Sequence, residues 1–337
     1  MQCFLRLMSF KVDFSGYEVM LPFIEDAKVS RSPSASIVKS IKENSALTGV
    51  FEFLKNDYGV SPDGLLNIIH NAFSQRTCEE VSSDRSVRFL NEAYEWCNRN
   101  WNLVTATVDW LQSSDLESLV KRQVASYLPR NVVFPDLTVY FVFDGCDGRG
   151  FKSKVYVDVI LCAILGREKS IRFLAHEYHH SCRADFAREC FPKWKNVFET
   201  LFYLESEGVA DKIYDLGGVL PDNDFPHLTR LRRRRARIYN NASVHLAKVE
   251  KGILNDTDPL KTFSNSSNHP LGKYMADLIE RRVGKASLIK CVGDPLKFLE
   301  TYNQAAKLEK EENVSTFVFS KATMFKLQQI QFGARTA

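Results

Sequence analysis

The segment His176-Glu177-Tyr178-His179-His180 sets two histidines four positions apart, with a glutamate directly after the first. On a helix, residues four apart share a face, so His176 and His180 can chelate one metal ion. Glu177 lies one step round, able to reach a water on that ion without standing beside the imidazoles. Two neutral imidazoles and one general base in His-Glu-x-x-His (HExxH) spacing point to metal-assisted hydrolysis. The preceding Ile171 to Ala175 is apolar apart from Arg172, which lets the helix sit in a core and hold its histidines rigid.

A catalytic zinc takes a third protein ligand and leaves its fourth position open for water. After 26 intervening residues comes Glu207-Gly208-Val209-Ala210-Asp211, again with acids four apart on a helix. Glu207 is the expected third ligand. Asp211 is expected to accept a hydrogen bond from the second nitrogen of a ligand histidine, His176 first, fixing its tautomer. Glu205 competes for the ligand role but has Val209, not an acid, four positions on. His179 falls off the shared face and reads as a packing residue. Cys182 and Cys190 offer a closed structural site with the histidines, but Cys182, two residues past His180, points elsewhere on a regular helix. Histidine and carboxylate ligands make Zn2+ the expected metal.

The elements that must position these residues follow from pattern. Ser61-Pro62-Asp63 reads as a helix start, with an apolar stripe of Leu65, Leu66, Ile68, Ile69 and Phe73. Arg85 to about Leu111 has helical spacing, and a further helix is expected from Leu116 to Tyr127. Leu137 to Phe143 and Ser153 to Ile160 read as strands, paired as a hairpin or neighbouring in one sheet. Helices are expected from about Lys169 to the Arg183 region, Val197 to Tyr214, Arg230 to Lys251, Gly272 to Val283 and Asp294 to Glu311. A polar loop is expected over residues 263–268. The division predicted is a helical N-terminal lobe over 1–130, a catalytic region over 131–315 and a C-terminal tail over 316–337.

The paired motifs resemble those of the gluzincin metallopeptidases, in which a glutamate is the third zinc ligand. The pattern is similar to that of thermolysin-like enzymes and, in part, to the Glu-Ala-Asp element of membrane-bound relatives, where this chain has Gly208-Val209-Ala210-Asp211. It is most similar to a bacterial family of zinc-dependent peptidases known as a domain of unknown function. There a strand precedes an Ala-His-Glu-x-x-His-His helix, and a His-Pro-x-Gly-x-Tyr-Met stretch lies nearer the C-terminus, here His269-Pro270-Leu271-Gly272-Lys273-Tyr274-Met275. The resemblance runs from about Val132 to Leu299. It implies an α+β, mostly helical zincin-like core, with a small mixed sheet beside the active-site helix, and hydrolysis of peptide bonds with Glu177 as base. It also implies a donor opposite the metal, for which Tyr274, following a flexible glycine, is the first candidate and His269 the second. An extended peptide would pair with an exposed sheet edge, expected at the Val155 to Ile160 strand.

Composition constrains the rest. Charged residues make up 26% and hydrophobic ones 45% of 337 residues, which fits a globular chain and excludes long disorder. The opening residues turn polar by Lys11 and Asp13 and do not read as a signal peptide. No window is long and apolar enough for a membrane span. The 8 cysteines include no CxxC pair, so reduced thiols and a cytoplasmic location are expected. Net charge is only +4, yet Arg230, Arg232, Arg233, Arg234, Arg235 and Arg237 crowd into eight positions. A solvated helix is the plain reading of that run. Two rivals to the peptidase stand: a metallohydrolase of a non-peptide amide, and a degenerate nucleic-acid or anion-binding protein using the arginines. An intermediate role is reception of a substrate carboxylate. Oligomeric state is not encoded in any pattern found.

Overall fold

The computed structural model describes residues 9–74, 85–145, 148–151, 153–183, 195–215, 225–255, 268–312 and 315–336. The fold is mostly helical, with one four-stranded mixed sheet. The chain divides into two compact units. The first comprises Met1–Val120, Phe134–Ser181 and Pro221–Thr229; the second comprises Lys121–Val133, Cys182–Leu220 and Arg230–Ala337.

In the first unit the strands are β1 (Phe10–Asp13), β2 (Leu137–Val142), β3 (Gly148–Phe151) and β4 (Lys154–Asp158). Their order is β1-β2-β4-β3, with β1/β2 and β2/β4 parallel and β3/β4 antiparallel. The two strands expected from sequence are therefore parallel neighbours, and the hairpin is made by β3 and β4. The edges are β1 and β3, so the Val155 to Ile160 segment is not an edge. Its residues Val155, Tyr156, Val157 and Asp158 are all buried, as befits an interior strand covered on both faces.

The expected strand also stops early. Val159–Leu165 forms a helix, α9 below, whose seven residues are all buried. A short, wholly apolar run cannot be told from a buried strand by periodicity. Asp158 decides the matter. Its Oδ1 accepts from the N–H groups of Ile160 (2.5 Å) and Leu161 (3.0 Å), capping the helix. Its Oδ2 accepts from Asp144 (2.5 Å) and Gly145 (2.7 Å), tying down the loop after β2.

The helices preceding β2 are α1 (Ser15–Glu18), α2 (Leu21–Lys28), α3 (Ala35–Glu43), α4 (Ser45–Tyr58), α5 (Pro62–Phe73), α6 (Arg85–Arg99), α7 (Trp101–Ser113) and α8 (Leu116–Val124). Ser61 caps α5 by accepting from Gly64 N–H at 3.1 Å, with Pro62 in the first turn. After β4 come α9 (Val159–Leu165) and α10 (Arg167–Arg183), separated by Gly166 at φ 72°.

The later helices are α11 (Lys195–Ala210), α12 (Pro226–Asn240), α13 (Ala242–Leu254), α14 (Asn268–Arg282), α15 (Lys285–Ile289), α16 (Pro295–Glu311) and α17 (Lys321–Thr336). Two helices expected as continuous are broken, and both breaks use asparagine. Asn100 separates α6 from α7, and Asn241 separates α12 from α13. Each side-chain amide donates to the carbonyl four residues back, Trp96 at 2.9 Å and Arg237 at 2.8 Å, ending the ladder. Among the described residues no helix is long and apolar enough to cross a membrane.

Candidate metal centre

His176 and His180 lie in the first unit. Ile171, Phe173, Leu174, Ala175 and Tyr178 bury α10, and the Tyr178 hydroxyl donates to the Pro135 carbonyl at 2.8 Å, anchoring the helix below β2. His176 is buried, His180 half-buried, and their Nε2 atoms are 3.2 Å apart. Two zinc–nitrogen bonds at a tetrahedral angle would set ligand nitrogens about 3.3–3.4 Å apart. The donor types and spacing thus fit a zinc ion. His179 is wholly buried on another side of the helix, its ring 6.4 Å from that of His180.

Glu177 is also buried, and β3 explains how an edge strand comes so close to it. A Cβ at Gly148 would lie 2.3 Å from the Phe173 ring, so the bare glycine lets β3 settle on α10 with that ring against it. A Cβ at the exposed Gly150 would stand 3.7 Å from the Glu177 carboxylate, in ordinary van der Waals contact, so β3 runs directly beside that side chain.

The acids Glu205, Glu207 and Asp211 lie in the second unit. Glu205 is fully buried, where it accepts from the Arg183 guanidinium and, at 3.3 Å, from the Gly293 N–H. Those bonds occupy it structurally. Burial pushes Arg183 down to about 10, with the negative charge of Glu207 opposing the shift. Glu207 and Asp211 gather round one imidazole. His269 Nδ1 lies 3.3 Å from Glu207 Oε2 and 3.2 Å from Asp211 Oδ1. Within its unit, then, the imidazole beside Asp211 is that of His269.

Two glycines bring His269 there. A Cβ at Gly208 would fall 2.4 Å from the Gly272 carbonyl oxygen, and one at Gly272 would fall 2.2 Å from the Leu204 carbonyl oxygen. Helices α11 and α14 cross backbone to backbone, and His269 is carried one turn away onto the acids. Gly272 is therefore a helical contact residue and not the flexible joint expected from sequence. Tyr274 packs edge-on against Tyr239, ring centroids 5.5 Å apart, and lies 6.5 Å from the Tyr302 ring. It stands about 140° round the helix from His269. Cys182 is buried; Cys190 and most of the expected polar loop lie outside the described residues.

A family model described as "Putative zinc dependent peptidase (DUF5700)" matches residues 52–311. The chain belongs to this family. The matched region contains both the histidine helix α10 and the carboxylate helix α11, together with His269. Neither the curated proteins nor the solved structures gave a match. Family membership and metal-ligand chemistry together support a zinc-dependent hydrolase in general. The contacts that shape the site were only partly signalled by sequence. Glycines at 208 and 272 stand beside Glu207 and three residues after His269, but nothing in one sequence says that they touch.

Proposed function

We propose that the chain is a gluzincin-type peptidase in which His176, His180 and Glu207 hold one Zn2+ ion. The observation that carries the reading is the 3.2 Å separation of the His176 and His180 Nε2 atoms, which suits two ligands of a tetrahedral ion. When bound, zinc would polarise the scissile carbonyl and lower the pKa of a water. Glu177 accepts a proton from the attacking water as the C–O bond forms. It returns that proton to the leaving nitrogen as the C–N bond breaks. Asp211 and His269 keep the carboxylate side of the centre oriented through their mutual hydrogen bond.

Developing charge on the carbonyl oxygen calls for a second donor, and His269 and Tyr274 are the candidates. His269 is favoured, because its ring lies at the carboxylates whereas Tyr274 lies among tyrosines. The extended substrate would pair with β3, the edge strand whose Gly150 lies beside Glu177. A small non-peptide amide would have no use for such an edge.

Elemental analysis of protein purified without tag or chelator is the direct test. One zinc per chain is expected, falling to none in His176→Ala and His180→Ala. Wild-type protein that neither carries nor takes up zinc would overturn the proposal.

A further inference from the structure

One arginine of the basic run behaves unlike its neighbours. Along α12, Arg230, Arg233, Arg234 and Arg237 are exposed, while Leu228, Arg235 and Ile238 are buried. Arg235 thus occupies a core position on the apolar side of the helix, with only 8% of its surface exposed. Its Nε and Nη1 atoms have no hydrogen-bond partner. Asp215 Oδ1 lies 3.9 Å from Nη1, a loose ion pair beyond hydrogen-bonding range. A guanidinium buried with unmade bonds is costly unless something comes to complete them.

The space for that partner is present. Arg235 lines a cavity of about 200 Å³ together with Asp215, Tyr239, Asn240, Pro270 and Lys273. Lys273 is already bonded to Asp277 at 2.7 Å, and the Tyr239 hydroxyl donates to the same carboxylate at 2.9 Å. Lys273 is thus paired with Asp277, and the uncommitted donors on the wall belong to Arg235. A carboxylate is a small anion that a guanidinium holds through strong charge-assisted hydrogen bonds.

The cavity also stands at an informative distance from the carboxylate cluster. Pro270 directly follows His269, and Lys273 lies one turn further along the same face of α14. Four helical residues advance about 6 Å, and an extended peptide advances about 3.3–3.6 Å per residue. A carboxylate held here would be one or two residues beyond the bond being cut. We propose that Arg235 receives the free α-carboxylate of a peptide's C-terminus, making the enzyme an exopeptidase that removes one or two C-terminal residues. The inference rests on the peptidase reading and refines it.

The test uses full-length Glu177→Gln protein and N-terminally fluorescent pentapeptides, each with a free or an amidated C-terminus. Anisotropy is expected to show the free acid binding about 10- to 100-fold more tightly than the amide. Adding Arg235→Gln is expected to erase that preference while leaving binding of the amide unchanged. Equal binding of acid and amide would overturn the proposal, as would a preference that survives Arg235→Gln. So would a preference that follows an acidic side chain in amidated peptides. If Arg235→Gln does not fold, the acid-against-amide comparison with Arg235 intact, repeated in Arg235→Lys, decides the matter. Arg235-dependent binding without turnover by the zinc-loaded wild type would keep this pocket and remove the peptidase. Turnover indifferent to the C-terminus would do the reverse.

Discussion

Glu177 is the residue where the proposed chemistry can be separated from the metal. It is 8% exposed, held on α10 between two imidazoles, with the backbone of Gly150 beside its carboxylate. Glutamine has the same shape but cannot take a proton from water. Glu177→Gln is therefore expected to lower kcat by about 10²- to 10⁴-fold while zinc content and thermal midpoint stay as in the wild type. Peptide hydrolysis at the wild-type rate would remove Glu177 from the role of base. The same separation of parts distinguishes the neighbouring acids. Glu205, sealed in its bonds to Arg183 and Gly293, should respond to Glu205→Gln by losing stability, since the substitution leaves a buried guanidinium uncompensated. At this scale the sequence was informative because side-chain chemistry has few meanings at four-residue spacing. The four-residue spacing of His176 and His180 places both on one helix face, and their Nε2 atoms do come within 3.2 Å of each other. The engagement of Glu205 was not legible, because its partners Arg183 and Gly293 are 22 and 88 residues away.

At the scale of elements, the site depends on absent side chains as much as on present ones. The α11/α14 crossing has no space for a methyl group at Gly208 or Gly272, where the nearest atoms are backbone and cannot rotate away. Gly272→Ala should force the helices apart, destabilise the fold by about 1–3 kcal/mol, and draw His269 away from Glu207 and Asp211. A urea midpoint unchanged from the wild type would show that the crossing relaxes without effort. Gly284→Ala is not a suitable control, since that residue has φ 102° and would be strained for a different reason. Much of the helical framework was visible in the sequence: α5, α10, α11, α14 and α16 have stripes, caps or flanking prolines that mark them locally. What was missed lay in competition between neighbours. The run from Val159 to Leu165 satisfies strand and buried helix alike until the Asp158 cap is considered, and the asparagine breaks at 100 and 241 interrupt otherwise unbroken helical patterns. Strand order was invisible for another reason. Pairing of β1 with β2 joins residues more than a hundred positions apart, and no local pattern specifies it.

For the molecule as a whole, a net charge of +4 conceals clusters that are nearly neutral and tightly bonded. The fullest of them lies in the second unit. Lys212 reaches Asp277 at 2.5 Å and Glu280 at 2.7 Å, Lys273 reaches Asp277 at 2.7 Å, and the Tyr127 hydroxyl donates to Glu280 at 3.1 Å. Burial by itself would raise the Asp277 pKa, but hydrogen bonds from Lys212 and Lys273 outweigh it and hold the group below the ordinary 3.8. A carboxyl whose folded pKa lies below its unfolded one stabilises the fold above the unfolded value. That stabilisation drains away as pH falls through the folded value. Lys212 works in the opposite sense. Burial would lower it, yet its bonds to Asp277 and Glu280 prevail and raise it above 10.5. Its contribution is complete below 10.5 and is lost as pH rises through the folded value. Metal-free protein should therefore show a broad plateau in its urea midpoint, sloping down below about pH 4 and above about pH 10.5. Asp277→Asn should lower the plateau and flatten the acid slope, because the asparagine binds no proton in either state. An acid slope as steep in the variant as in the parent would place the pH-sensitive carboxyls elsewhere. Removing metal before the titration matters, since any metal binding depends on pH and would add its own slope to the stability curve.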